Sequence, residues 1–463
     1  MIRRVAVIGI AAGLILCIGP GPLADTSAAG AGTGDPRVLV GLARTDYVSL
    51  SFSQEYQLVS SQGKQEIPEG AKVSLQSRRG RVSVVISSGL SVLYNGELSG
   101  PVVIEPSAGT GEASFTVSGQ GDSNPGFPGT EFRGSAIILE DGGFLVVANL
   151  VDLERYLWSV VSSEMPCNWA KEALKAQAVA SRTYAVHKGA LSDVSDGGNI
   201  TGPADIKMWA NESSQVYRGK LREDPRAVEA CNETKGQILT YNGAPAATYF
   251  HAASAGMTEA SRSVWGGDVP YLVAVEEVPY ESPHNQWEVS FDLETLRERL
   301  KGAFQGSRID TIVGCEPGIS GRWACVNISS GNIHAQLKAS EFRSLLDLKS
   351  MWFSVFKRGG GGDTIGQLNP GHEVYIHNGT SVQAVKLKQC TMENPGGSQG
   401  AGNGAYVMGP GASGPVTFVF QGRGYGHGVG MSQWGAKAMA EGGAGYKQIL
   451  MHYYPSTHIE TWW

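Results

Sequence analysis

The sequence predicts an α+β protein, rich in β-structure and built around one long central helix. Three observations predict it. Period-two apolar alternation recurs from Arg37 to about Leu98, and strand patterns resume from Ser135 to Val147. A strong helical pattern runs from Trp169 to Lys188, thin-skinned because of Ala170, Ala173, Ala176, Ala178, Ala180 and Ala185. Two shorter helical patterns, about Ser432 to Glu441 and Tyr446 to Tyr453, close the chain.

The chain has 463 residues, 41% of them apolar, which is enough for a large core in roughly two or three domains. Its 63 glycines imply many turns and close backbone contacts. A net charge of -6 leaves no basic footprint, so a nucleic-acid partner is excluded. Arg3 and Arg4, the apolar run Val5 to Gly19 and the break at Pro20, Gly21 and Pro22 read as a signal peptide over residues 1–24, with Ala24 or Ala28 at the cleavage site. That run is short for a membrane span. An uncleaved leader acting as an anchor is the alternative. Either way the expected location is the cell envelope, periplasmic or extracellular. Leu16, before Cys17, is too large for a lipoprotein signal.

Residues 25–35 form a small-residue linker, and 36–130 a β-rich N-terminal region. Its strands are placed at Val38 to Val40, Tyr47 to Phe52, Lys72 to Leu75 and Arg81 to Ile86. A Gly/Pro loop covers 121–130, and Asp141, Gly142 and Gly143 form a hairpin turn between Ser135 to Glu140 and Phe144 to Val147. In the central helix Asn168 suits the N-cap, His187 and Lys188 the last turn, and Gly189 the stop. A polar loop over 189–214 precedes strands at Gln237 to Tyr241 and Ala247 to His251. Helices at Leu293 to Leu300 and Ser340 to Leu348 bracket a short β segment. Residues 358–415 are a Gly-rich insertion with one apparent strand at Glu373 to Ile376. Pro455 ends the last helix.

Apart from Cys17 the cysteines are Cys167, Cys231, Cys315, Cys325 and Cys390. Export permits disulfides. Cys315 and Cys325 are spaced to staple a hairpin, and Cys167 with Cys231 is a second candidate pair. None has the spacing of a structural zinc site.

Glu164 is the candidate acid/base group. It falls on what reads as a tight loop, Val161 to Pro166, at the mouth of the central helix. Pro166 fixes the backbone beside it, and Met165 and Trp169 are placed to desolvate it, which raises a carboxyl pKa. The plainer reading is an acid that complements the helix dipole. Lys171, Lys175 and Arg182 share one helical stripe. It reads either as a solvated face or as an anion-binding strip suited to a polymer with repeated carboxylates.

Gly422, Gly424, Gly426, Gly428 and Gly430 alternate with Arg423, Tyr425, His427, Val429 and Met431. An extended chain would bare one face, open to a ligand or another backbone. The run lacks the order of a dinucleotide or P-loop motif. His251, Ser254 and Trp265 make a third cluster, read either as a sugar-stacking site or as ordinary core.

These pieces together resemble the SpoIID/LytB family of sporulation stage II protein D glycan-cleaving enzymes and amidase enhancers. The matching stretches are Val160-Val-Ser-Ser-Glu-Met-Pro166, Glu172 to Ala185, Ser214-Gln-Val-Tyr217, Thr234 to Gly243, Tyr249-Phe-His-Ala-Ala-Ser254, Ser263-Val-Trp-Gly266 and Gly424 to Ala436. They run in order over about residues 131–463, which the resemblance makes the catalytic domain. It implies a two-lobed α+β protein with the long helix beside a glycan-binding crevice. It further implies lytic cleavage of peptidoglycan strands, especially those stripped of stem peptides, with Glu164 as catalytic glutamate. Arg182, Gln215, Tyr217, His251 and the stretch from His427 to Gln433 match crevice positions. Some relatives bind zinc through His and Cys after the long helix. Residues 189–214 contain neither, so no metal or other cofactor is expected. Expected partners are peptidoglycan glycan strands, with a cell-wall amidase as a further candidate. Tyr425, Ser254 and Trp265 join Lys171 and Lys175 as proposed substrate contacts. A non-catalytic amidase enhancer is the alternative function, and a hydrolase using Asp152 or Glu154 as second carboxylate a third.

Overall fold

The computed structural model describes residues 36–107, 112–118, 129–192, 200–359 and 414–463, together with the backbone of four strands at 364–367, 373–377, 382–386 and 406–409. The proposed leader, the linker, Cys390 and most of the loop at 121–130 lie outside them. The architecture is α+β.

Two largely antiparallel sheets open the chain. One is built on Arg37–Thr45, Phe144–Asp152, Ser135–Asp141, Val102–Pro106 and Tyr56–Ser60. The other runs through Ser114–Ser118, Tyr47–Phe52, Lys72–Arg78, Arg81–Ser88 and Ser91–Leu98. Alternation decides their packing. Val38 and Val40 join Val48, Leu50, Val73 and Val84 in the shared core, whereas Leu39 faces the other way with Ile137, Leu139 and Ile200. The first sheet is therefore buried on both faces. Gly142 and Gly143, both at positive φ, turn the predicted hairpin. Because Arg37–Thr45 pairs with Phe144–Asp152, the N-terminal β region and the chain beyond residue 131 share one sheet.

The strand Phe144–Asp152 runs straight into a helix whose last turn, from Val161, the sequence pattern presents as a tight loop. Helix α1 spans Leu153–Glu164. Asp152 caps it by accepting from the Arg155 amide at 3.0 Å. Leu153, Tyr156, Leu157, Val160 and Val161 make its buried stripe, and Pro166 follows its end. Glu164 is thus the last residue of a helix.

Helix α2, Lys171–His187, is buried almost all round by α1, by α3 (Pro225–Glu233), by the strand Gln237–Tyr241 and by two C-terminal helices. Its alanines allow the close approach. Ala170, not Asn168, is its N-cap, and no side chain caps it. Gly189 leaves the helix at positive φ, as expected.

Beyond α4 (Ser261–Trp265) the chain forms α5 (Leu293–Leu300), the meander Thr311–Pro317, Trp323–Ser330 and Ile333–Lys338, and α6 (Ala339–Leu346). Cys315 and Cys325 face each other across the meander and form a disulfide. Trp287–Asp292, Thr417–Gly422 and Phe353–Arg358 make an adjoining sheet. The insertion extends it with Thr364–Gln367 and Tyr406–Gly409, and forms a separate hairpin, Glu373–His377 with Val382–Lys386. The chain closes with α7 (Gln433–Glu441), α8 (Tyr446–Tyr453) and His458–Thr461, which pairs back onto Gln237–Tyr241.

Cys167 and Cys231 remain free thiols, so the second proposed disulfide is not formed. Among the described residues no helix is long and apolar enough to cross a membrane.

Candidate active site

The end of α1 delivers Glu164 to a half-buried position bounded by three other parts of the chain. The Val216 amide donates to Oε1 at 2.9 Å. Gln433 Nε2, from the first turn of α7, donates to Oε2 at 3.2 Å and lies 3.5 Å from Gln177 Oε1 on α2. No cation among the described residues reaches ion-pair distance of this carboxyl. Burial pushes its pKa up, the Val216 and Gln433 donors pull it down, and the Glu212 charge adds to the rise. The balance is upward, the state a general acid requires.

Gln215 holds the Val216 amide in place from behind. It accepts from the Tyr156 hydroxyl at 2.9 Å and donates to the Ser181 carbonyl at 3.2 Å. Both it and Tyr217 are buried, and the Tyr217 hydroxyl donates to Asn149 at 2.8 Å. These two residues therefore support the site from the core and do not line an open surface. The sequence reading missed the Val216 amide, because a backbone donor carries no residue signature. Gln177 sat unremarked inside a matching stretch.

The glycine run is not an extended strand. Gly424, Gly426, Gly428 and Gly430 all take positive φ, so every second residue is left-handed. The bare side receives protein: a Cβ at these positions would come within 3.0 Å of Ala253 O, His251 Cβ, the Arg322 side chain and Tyr249 O respectively. Tyr425 and Ala253 exchange backbone hydrogen bonds at 2.8 and 3.1 Å, and Phe250–His251 pairs in parallel with Met431–Ser432. This packing carries Gln433 to Glu164.

His251 and His427 meet there with ring centroids 5.4 Å apart, and Trp265 lies 5.2 Å from His427. Val429 N donates to His427 Nδ1, so that nitrogen is an acceptor. Burial, reinforced by the Arg343 charge, lowers the His427 pKa to about 3, and burial lowers His251 as well. Both imidazoles are neutral at physiological pH. Tyr425 is exposed, whereas Ser254 is buried and donates to Glu277. Ser254 is thus committed to a structural network. Among the described residues no three His, Cys, Asp or Glu side chains gather as metal ligands.

The anion-binding strip on α2 does not form. Arg182 is fully buried and bidentate to Glu154, at 2.9 and 2.6 Å. Lys171 pairs with Glu229 and Glu233, and Lys175 with Glu172 and Glu233. The two lysines pull the Glu233 pKa down to about 2. Glu154 also accepts from the Gly236 amide, so it is unavailable as a second carboxylate, and Asp152 is occupied as the α1 cap. Two surface clefts, of about 790 Å³ beside α5 and 330 Å³ beside Tyr280 and Arg423, do not include Glu164.

A family model described as Stage II sporulation protein (SpoIID) matches residues 141–241, from the turn before Phe144 to Tyr241. The chain is 30% identical over 325 residues to Stage II sporulation protein D of Bacillus subtilis (strain 168), covering 67% of this chain and 74% of that one. It belongs to the SpoIID/LytB family. A second SpoIID/LytB relative, the Amidase enhancer of Bacillus subtilis (strain 168), is 29% identical over 318 residues, 66% of this chain. The match spans only 40% of that longer relative. An uncharacterized protein of Brachyspira hyodysenteriae is 27% identical over 338 residues, 72% of this chain and 73% of its own. The SpoIID model includes Glu164 and all of α2, but ends before Gln433, which the fold brings back to Glu164.

Proposed function

We propose that this protein is an exported peptidoglycan lytic transglycosylase that cleaves glycan strands lacking stem peptides. One observation carries the reading: Glu164 is half-buried, shifted toward its protonated form and hydrogen-bonded through both oxygens, yet free of any ion pair among the described residues. A carboxyl so held can give up a proton and take one back.

The chemistry needs only that. Protonated Glu164 donates to the glycosidic oxygen as the C1–O bond breaks. The resulting carboxylate, stabilised by Val216 N–H and Gln433, accepts the proton of the C6 hydroxyl on the same muramyl residue. That oxygen bonds to C1, giving a 1,6-anhydro end and regenerating the acid. No water is consumed, so no second carboxylate is needed, unlike in a hydrolase. The commitment of Glu154 and Asp152 elsewhere favours this route over hydrolysis. The charged and apolar leader-like segment, together with the Cys315–Cys325 disulfide, supports action outside the cytoplasm.

Mass spectrometry of denuded glycan after incubation with the protein tests the proposal. Anhydro-muramyl ends are expected from the parent and not from Glu164→Gln. Hydrated reducing ends, or uncut strands, would reject it. The likeness to a protein named Amidase enhancer supports one other reading, a non-catalytic wall-binding protein that stimulates a partner amidase. Uncut strands with a faster amidase would favour that reading.

A further inference from the structure

The cations that the sequence offered for reading a carboxylated polymer are all engaged by protein carboxylates. Among the described residues one cation beside the glycine run differs from them. Arg343, on α6, is half-buried, and no carboxylate among the described residues reaches ion-pair distance of it. Its Nε donates to the Lys349 carbonyl at 3.3 Å, and the same carbonyl accepts the Gly426 amide at 2.8 Å. One oxygen thus fastens the guanidinium to the glycine run between Tyr425 and His427. Ser350 bridges Gly426 beside it. The two terminal nitrogens make no hydrogen bond within the described residues.

We infer that Arg343 is the anion-reading side chain of this site, pairing with the lactyl carboxylate of a muramyl residue. The inference rests on the glycan reading above and names the group that would make it selective. A stem peptide ties up that carboxylate as an amide, whereas a stripped strand leaves it ionised on every disaccharide. A guanidinium with its Nε pinned and its fork unoccupied matches a carboxylate bidentately. Leaving such a charge half-buried without a partner is costly, which favours a ligand there. Burial depresses the Arg343 pKa, while Tyr425, Asp347 and Glu212 act against the depression. The glycine run to which Lys349 fastens Arg343 is the one that leads on to Gln433, the donor to Glu164. The same run carries the exposed Tyr425 phenol and the neutral, half-buried His427 imidazole, which can pack on a sugar without competing for its charge.

The test is calorimetric titration of the full chain made cleavage-deficient by Glu164→Gln. One ligand is a tetrasaccharide of alternating N-acetylglucosamine and N-acetylmuramic acid without stem peptides. The other is chitotetraose, which has a comparable backbone and no lactyl groups. Adding Arg343→Ala is expected to lower the ratio of muramyl to chitotetraose affinity by about tenfold, and Arg343→Lys by less, because the charge survives without the fork. The Lys variant also serves if the Ala variant folds poorly. An unchanged ratio in either folded variant overturns the inference. Should the protein with Arg343 intact bind neither oligosaccharide, the glycan reading itself fails and the inference falls with it.

Discussion

Both ends of α1 carry a half-buried or buried glutamate, and the two are in opposite conditions. Glu154, in the first turn, is clamped by Arg182 and the Gly236 amide. Glu164, at the last residue, receives only neutral donors. Residue type and helix are the same. What differs is whether a cation shares the burial. With one, the carboxylate is a fixed ionic cross-link. Without one, it is biased toward keeping its proton and can exchange it. The sequence stripe Lys171, Lys175 and Arg182 misled for the same reason: these charges are satisfied within the protein.

The sharpest way to break this contrast is to make each glutamate neutral. Glu164→Gln is expected to slow the formation of anhydro ends by about 10²–10⁴-fold. It should not lower Tm near neutral pH, and should raise it. The folded protein holds the Glu164 proton more tightly than the unfolded chain does, so ionisation above the ordinary carboxyl range costs stability. That gain should vanish as pH falls below that range, where both chains are protonated. Glu154→Gln is expected to do the reverse, destabilising the protein by about 3–5 kcal/mol in denaturant titrations by stranding the Arg182 charge. A loss too small to detect would mean that the two ends of α1 do not differ as described.

Smaller effects sharpen the comparison. Gln433→Leu removes a donor that lowers the Glu164 pKa, so the acid form should survive to higher pH. The alkaline limb of kcat/KM against pH should then move upward, and a downward shift would contradict the assigned donor. Least affected should be Lys171→Ala, which breaks exposed pairs only. Titration with denuded glycan should give the parent affinity, and a marked loss would restore the anion strip.

Much of this fold was legible where a pattern had a simple period. The hairpin at Gly142 and Gly143, α2, α5, α7 and α8 all followed from alternation, helical spacing or turn chemistry. Helix α1 was missed because Val160, Val161 and the serines after them are indifferent helix formers. Yet Asp152 as cap and the stripe Leu153, Tyr156, Leu157, Val160 were there to be read. Glu164 was legible as a candidate, but its surroundings were not. Val216 contributes a main-chain group, and Gln433 arrives through a glycine run whose left-handed residues defeat strand logic. Ion pairing was hidden too, since Glu229 and Glu233 come from α3, far along the chain from Lys171.

The hydrogen bond from Gln433 has a consequence for biosynthesis. It joins residues separated by 269 positions, and the run that carries it seats against a segment near residue 250. A ribosome that stalled before the final two helices would release a polypeptide bearing the acid without the amide that orients it. The acid is therefore incompletely dressed until the stretch that carries Gln433 has docked.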